Sequence, residues 1–179
     1  MRRKILWVSL LVLFLDQLSK ALVANSMKIG ESIPVLDNFF RLTYVLNPGG
    51  AFGTKLGGNL FYTILSVLAI LIAGYFFLKS KREDKLLQIS FSLVLGGASG
   101  NLIDRFRLGE VIDFLDFLFF KIRIPPFKFG FIDFSGFYME RWPVFNVADG
   151  AVTIGMILIL LYVIRPQKHG SVATPVATV

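Results

Sequence analysis

The sequence contains no cysteine. Disulfides, thiolate metal sites and a cysteine nucleophile are thereby excluded, and the chain cannot itself be a protein lipidated on cysteine. Histidine is nearly absent as well: the one copy, His169, lies in the C-terminal tail, far along the chain from every other polar cluster. Histidine-based triads and histidine-rich metal sites therefore have nothing to be built from. Charge is scarce, with 17% of residues charged against 55% hydrophobic, and the mean hydropathy is +0.68. A soluble globular domain does not have this composition; an integral membrane protein does.

What is present is a set of four apolar runs, each long enough to cross the roughly 30 Å of bilayer hydrocarbon. They cover residues 5–23, 60–78, 86–103 and 144–164. The later half of the third, "GGASGNLID", is small and polar rather than oily, which suits a helix enclosed by other helices. Asp16 and Lys20 interrupt the first run, so it reads as an anchored span and not as a cleaved signal peptide, despite its "RRK" start.

A net charge of +7 would suit a nucleic-acid partner, but the placement of the basic residues argues against one. Arg2, Arg3 and Lys4 precede span one, Lys79, Lys81, Arg82 and Lys85 fill the turn between spans two and three, and Arg165 and Lys168 follow span four. By the positive-inside rule these three places are cytoplasmic, which puts both termini inside and two longer loops outside. Basic residues of the second outer loop are spread out and mixed with acids.

The fold expected is an α-helical integral membrane protein with four transmembrane helices and a small β-sheet in the outer, periplasmic loops. Residues 1–168 form one membrane-embedded domain, and 169–179 have nothing to bury and read as a disordered tail. In the first outer loop, turn signals at "KIGES", "LDN", "NPGG" and "KLGGN" separate short apolar runs, as in strand-and-turn structure. The second outer loop, "FLDFLFFKIRIPPFKFGFIDFSGFYMERW", mixes aromatic and basic residues and is expected to lie against lipid headgroups. Its Pro125-Pro126 pair and turns at Gly130 and Gly136 argue against one continuous helix.

Ionisable residues in membrane spans are expensive and point to function. Asp16 and Lys20 in "DQLSK" stand four apart on one helical face, the spacing of an internal ion pair. Asn47 and Gly49 in "NPGGAF" read first as a plain turn, and only second as backbone that a ligand approaches. Gly96 and Gly100 have the GxxxG spacing of close helix packing, and Asn101, Asp104 and Arg105 share one face beyond them, as a wet wall or an interfacial salt bridge. Asp113 in "GEVIDF" competes with Asp116 for any role. Asn146 and Asp149 fit a helix cap with an acid in the first turn. On the expected topology all of these fall near the outer boundary. Two carboxyls in a partly dry site do not both ionise, and such a pair can activate water against a peptide carbonyl and return a proton to the leaving amine. A proton-coupled four-helix carrier also needs intramembrane acids, and a membrane assembly factor needs GxxxG contacts. The acids of a carrier belong near the midplane, whereas these crowd one side.

The motifs "DQLSK", "NPGGAF", "GGASGNLIDR", "GEVIDF" and "FNVAD", in that order over nearly the whole chain, resemble those of the prolipoprotein signal peptidases, type II, bacterial inner-membrane aspartyl proteases. The resemblance implies cleavage of a signal peptide from diacylglyceryl-modified prolipoproteins, before the lipidated cysteine, without a cofactor or metal. It also implies sensitivity to globomycin and a site reached from membrane lipid. Carried onto this sequence, it makes Asp113 and Asp149 the catalytic pair and Asp116 a bystander. It gives supporting or substrate-binding roles to Asp16, Lys20, Asn47, Gly49, Phe52, Asn101, Asp104, Arg105 and Asn146. The chain departs from the pattern in the long loop between the two acids, whose aromatic stretch is expected on the membrane surface, where it influences substrate access.

Overall fold

In a computed structural model, which describes residues 2–49, 57–81 and 83–165, the chain folds as four long helices with strands gathered at one end. Helix α1 spans Arg2–Ser26, strands β1 (Ser32–Leu36) and β2 (Phe40–Asn47) follow, and α2 covers Gly58–Lys79. Next come α3 (Lys85–Leu108), β3 (Val111–Phe117), four three-residue strands β4 (Ile122–Ile124), β5 (Phe127–Phe129), β6 (Ile132–Phe134) and β7 (Phe137–Met139), and finally α4 (Val147–Ile164). All four helices are long and apolar enough to cross a membrane. The shortest, α4, has 18 residues, or about 27 Å at 1.5 Å per residue.

Helix α3 is the central one. Over half of its most apolar window, 56%, is buried, against 17% in each of the other three helices, as its small and polar composition anticipates. Glycine makes its contacts close. A Cβ on Gly96 would stand 2.6 Å from the backbone oxygen of Ser9 in α1, and one on Gly97 would strike the backbone oxygen of Ala148 in α4. A Cβ on Gly155 of α4 would in turn lie 2.8 Å from the backbone oxygen of Ser90 in α3. The other helices present Trp7, Leu11, Leu60, Leu71, Leu160 and similar side chains outward, as a lipid-facing surface does.

Every span limit but the last differs from that expected, by one to five residues, and two of the differences have a local cause. Helix α3 continues five residues past 103, because Asp104 and Arg105 find partners and the turn is closed only at Gly109, whose φ of +77° suits glycine. Helix α4 begins at Val147 rather than 144, because Asn146 takes the cap position with extended backbone.

The three-stranded sheet draws on both long loops. Its order is β1-β2-β3, antiparallel throughout, with a bulge in β2 between Leu42 and Val45. Tyr44, Ile112 and Phe114 pack with Val23 of α1 and tie the sheet to the bundle. On the other edge of β3, Leu115 and Phe145 exchange backbone hydrogen bonds of 2.7 and 3.1 Å. That single bridge lays the start of α4 beside β3. Strands β4 to β7 form two short ladders, β4-β7 and β5-β6, and not the helix that the prolines excluded.

Candidate active site

Asp113 lies in β3 and Asp149 at the third position of α4, and Asn146 joins them. The Asn146 side-chain oxygen accepts the Asp149 backbone N–H at 2.9 Å, and Asp149 Oδ2 accepts the Asn146 N–H at 3.3 Å, a reciprocal capping box. The Asn146 side-chain NH2 donates to Asp113 Oδ1 at 2.7 Å and lies 3.0 Å from Asn101 Oδ1. Cap and site are therefore one arrangement.

Each amide that touches the acids has its orientation fixed by an unambiguous donor on its oxygen. Lys20 Nζ, which can only donate, meets Asn101 Oδ1 at 2.9 Å, so Asn101 turns its NH2 to Asp149 Oδ1 at 2.7 Å. The Gly49 N–H meets Asn47 Oδ1 at 2.9 Å, so Asn47 turns its NH2 to Asp113 Oδ2 at 2.8 Å. Asn47 stands opposite Val111 in the sheet, which makes Asp113 its diagonal neighbour on the same face.

Behind Asn101 lies a dry charge cluster. Lys20, 2% exposed, donates to Asp16 Oδ2 at 2.9 Å and to Asp104 Oδ2 at 2.8 Å, so all three ammonium hydrogens have acceptors. Asp16 Oδ1 also accepts the Ala148 backbone N–H at 3.0 Å and Asp104 Oδ2 the Ile112 N–H at 3.2 Å. The two acids thus hold α4 and β3, one residue before Asp149 and one before Asp113. Gln17, which sequence reasoning missed, adds its NH2 between Asp16, Asp104 and the Gly100 carbonyl at 3.1–3.2 Å. Its signal was its place inside "DQLSK".

Arg105 leaves this cluster despite sharing a helix face with Asn101 and Asp104. Its guanidinium donates to Ser66 Oγ at 3.0 Å and to the Gly49 carbonyl at 3.4 Å, bridging α2 and the first outer loop. Ser66 carried no sequence signal, being one hydroxyl in an oily span. Phe52 lies outside the described residues. Asp116 is engaged elsewhere: Arg141 Nε reaches its Oδ1 at 2.6 Å and Thr43 Oγ1 its Oδ2 at 2.8 Å.

A cavity of about 530 Å³ opens over the pair, lined by Asn47, Gly49, Asn101, Arg105, Asp113 and Asp149 on its polar side. Phe119, Trp142, Phe145 and Ile154 supply an apolar wall, while Asp16, Lys20, Asp104 and Asn146 lie behind the surface. Burial, reinforced by the negative charge of Asp149, pushes the Asp113 carboxyl up to about 7, although the Asn47 and Asn146 hydrogen bonds and the Lys20 charge pull the other way. One proton is thus held near neutral pH within a pair of acids.

Helices long and apolar enough to span a membrane, with a carboxyl pair at one end and no serine, cysteine or histidine among the described residues that line the cavity, fit a membrane peptidase of the aspartic class. The family model for signal peptidase (SPase) II matches residues 8–165. The chain is 40% identical over 166 residues to the lipoprotein signal peptidase of Syntrophus aciditrophicus, covering 90% of this chain and 92% of that one. With that of Halothermothrix orenii the identity is 40% over 163 residues, covering 91% and 97%, and with that of Staphylococcus aureus 35% over 162 residues, covering 90% and 88%. A solved structure described as a bacterial membrane enzyme superposes with a TM-score of 0.74 at 31% identity, covering 93% of this chain and 94% of that one. The chain belongs to the signal peptidase II family. The carrier reading falls with that membership, and so does the assembly-factor reading.

Proposed function

We propose that this chain removes the signal peptide from diacylglyceryl-modified prolipoproteins, cutting before the lipidated cysteine, and that Asp113 and Asp149 perform the hydrolysis. The observation that carries the reading is the arrangement of the amides. Asn47, Asn101 and Asn146 all turn NH2 groups to the two acids, which leaves the carboxyls facing one cavity with their orientations fixed.

In this mechanism a water lies between the carboxyls. Asp149, at the positive end of a helix, takes a proton from the water. The water oxygen bonds to the scissile carbonyl carbon while protonated Asp113 gives its proton to the carbonyl oxygen. Asp149 then gives the proton it took to the amide nitrogen while one hydroxyl of the diol returns its proton to Asp113, the C–N bond breaks, the signal peptide's new carboxyl group and the cysteine's amine are released, and the pair ends with one proton as it began. Protons belong to the pair rather than to either residue. No acyl-enzyme forms.

The basic residues at the ends of the spans support a topology with both termini cytoplasmic and the cavity at the periplasmic side. The apolar wall suits acyl chains that need not leave lipid, and a globomycin-type cyclic peptide would compete for the same cavity. The test is cleavage of a diacylglyceryl-modified prolipoprotein by purified protein, read by mass spectrometry. Wild type and Asp116→Asn are expected to release the signal peptide, and Asp113→Asn and Asp149→Asn to leave it attached; an active Asp149→Asn would remove the dyad.

A further inference from the structure

Strands β4 to β7 are not needed to hold the acids, and their geometry is specific. Ile122 pairs with Met139 and Ile124 with Phe137, and further out Phe127 pairs with Phe134 and Phe129 with Ile132. The partners advance by equal steps on both strands across the gap. The two ladders are therefore one hairpin in a single register, interrupted where Pro125 and Pro126 have no N–H to give. A two-residue turn, Gly130-Phe131, closes it, with Gly130 at φ +58°.

This ribbon has two faces. In the outer half Phe127, Phe129 and Phe134 share one face, with Phe127 and Phe134 in ring contact at 5.0 Å, while the opposite face carries the Lys128–Asp133 ion pair at 2.9 Å. Phe131 at the tip is 100% exposed and Phe129 77%. A hairpin of two strands is at best marginal in water without cover, and among the described residues no helix lies along this one.

We propose that the ribbon docks on the bilayer, with Phe127, Phe129 and Phe131 at the boundary between headgroups and acyl chains of the leaflet nearest the active site. Three observations favour lipid. The root of the ribbon is continuous with the lipid-facing surface: Phe119 and Trp142 share the cavity wall with Ile154 of α4, itself 53% exposed. Along the ribbon Lys121 and Lys128 are paired with Glu140 and Asp133, Arg141 is held by Asp116, and Arg123 adds one positive charge beyond these pairs, which suits anionic headgroups. Aromatic rings alternating with basic side chains are favoured at that depth. Open strand edges cannot enter hydrocarbon, so the outer half of the ribbon lies flat with the ion pair toward water. This docking does not depend on the reaction assigned above.

Because the chain has no cysteine, single cysteines at Phe129, Phe131 and Lys128 accept an environment-sensitive fluorophore without background. The full-length protein is placed at one copy per nanodisc of phosphatidylethanolamine and phosphatidylglycerol. Labels at 129 and 131 are expected to be quenched several-fold more by nitroxide on the upper acyl chain than by aqueous iodide, with the reverse at 128. Equal iodide quenching at 131 and 128 overturns the proposal. Shielding of 131 that appears only with two copies per disc, or only after prolipoprotein is added, overturns it in favour of a second chain or the substrate.

Discussion

Lys20 donates to the side-chain oxygen of Asn101 at 2.9 Å, and through that bond it decides which end of the Asn101 amide faces Asp149. The Lys20 side chain lies behind the cavity wall, yet it sets the hydrogen bonding of an acid that lines it. Replacing Lys20 with methionine leaves Asp16 and Asp104 buried without their cation, which costs about 3–5 kcal/mol. Thermal unfolding in detergent should show the loss. Adding Asp16→Asn and Asp104→Asn should recover much of the stability while cleavage stays low, because only the Asn146 NH2, which is shared with Asp113, then holds the Asn101 oxygen. Full recovery of kcat would reduce Lys20 to a structural ion.

The Asp113 proton links stability to pH. Its carboxyl titrates near 7 when folded, against an ordinary value of 3.8. The folded chain thus binds a proton that the unfolded chain releases, and stability must fall with rising pH between those values. The contribution is fully present below about pH 4, is lost by slightly above pH 7, and amounts to roughly 4 kcal/mol at 1.36 kcal/mol per unit. Tm measured from pH 5 to 8 should decline in wild type and flatten in Asp113→Asn. By the same sign, kcat/KM should fall as pH rises through about 7, where the pair loses its shared proton.

Asp116 and Arg141 hold the root of the ribbon rather than the substrate. Arg141 donates to Asp116 Oδ1 and to the Asn38 and Asp116 carbonyls at 2.6–3.1 Å. Arg141→Ala should lower stability by about 1–3 kcal/mol and leave the cleavage site unchanged, as judged by the product mass. A shifted or abolished cut would give this pair a direct part in catalysis.

Gly97→Ala should separate α3 from α4, since the added methyl meets the Ala148 backbone oxygen and lies 2.8 Å from Val152 Cγ2. Overpacking of this kind costs about 1–3 kcal/mol. Here it also acts one turn before Asn101, so the 2.7 Å bond to Asp149 should break and kcat fall more steeply than Tm. Gly74→Ala in α2, where a Cβ meets only Leu95 Cδ2 at 3.9 Å, is the control.

The spans were legible because length and oiliness are written locally, and their limits were less so because caps and ion pairs set them. Asp113 and Asp116 were not separable by their surroundings in sequence, both being acids in one apolar run. In a strand, residues three apart point to opposite faces, which sends Asp113 to Asn47 and Asp116 to Thr43 and Arg141. That distinction needed the strand and the bulge in β2, which depend on pairing across 66 residues of chain. The cap at Asn146 was readable in sequence; its second role toward Asp113 was not, because the Leu115–Phe145 bridge that creates it is a tertiary contact. The ribbon was legible as aromatic and basic, and its single register across two prolines was not.

The reciprocal cap at the start of α4 has one more consequence. Asp149 closes the first turn of the last span with the same carboxyl that faces the cavity, and Asn146 closes it with the same amide that holds Asp113. A partly assembled bundle, with α4 unseated or β3 unpaired, keeps the local cap but loses the Asn146 hold on Asp113, and the two acids of the proposed pair no longer face one cavity. Hydrolytic power and completed assembly therefore arrive together, and the cell is not exposed to a half-built protease in its membrane.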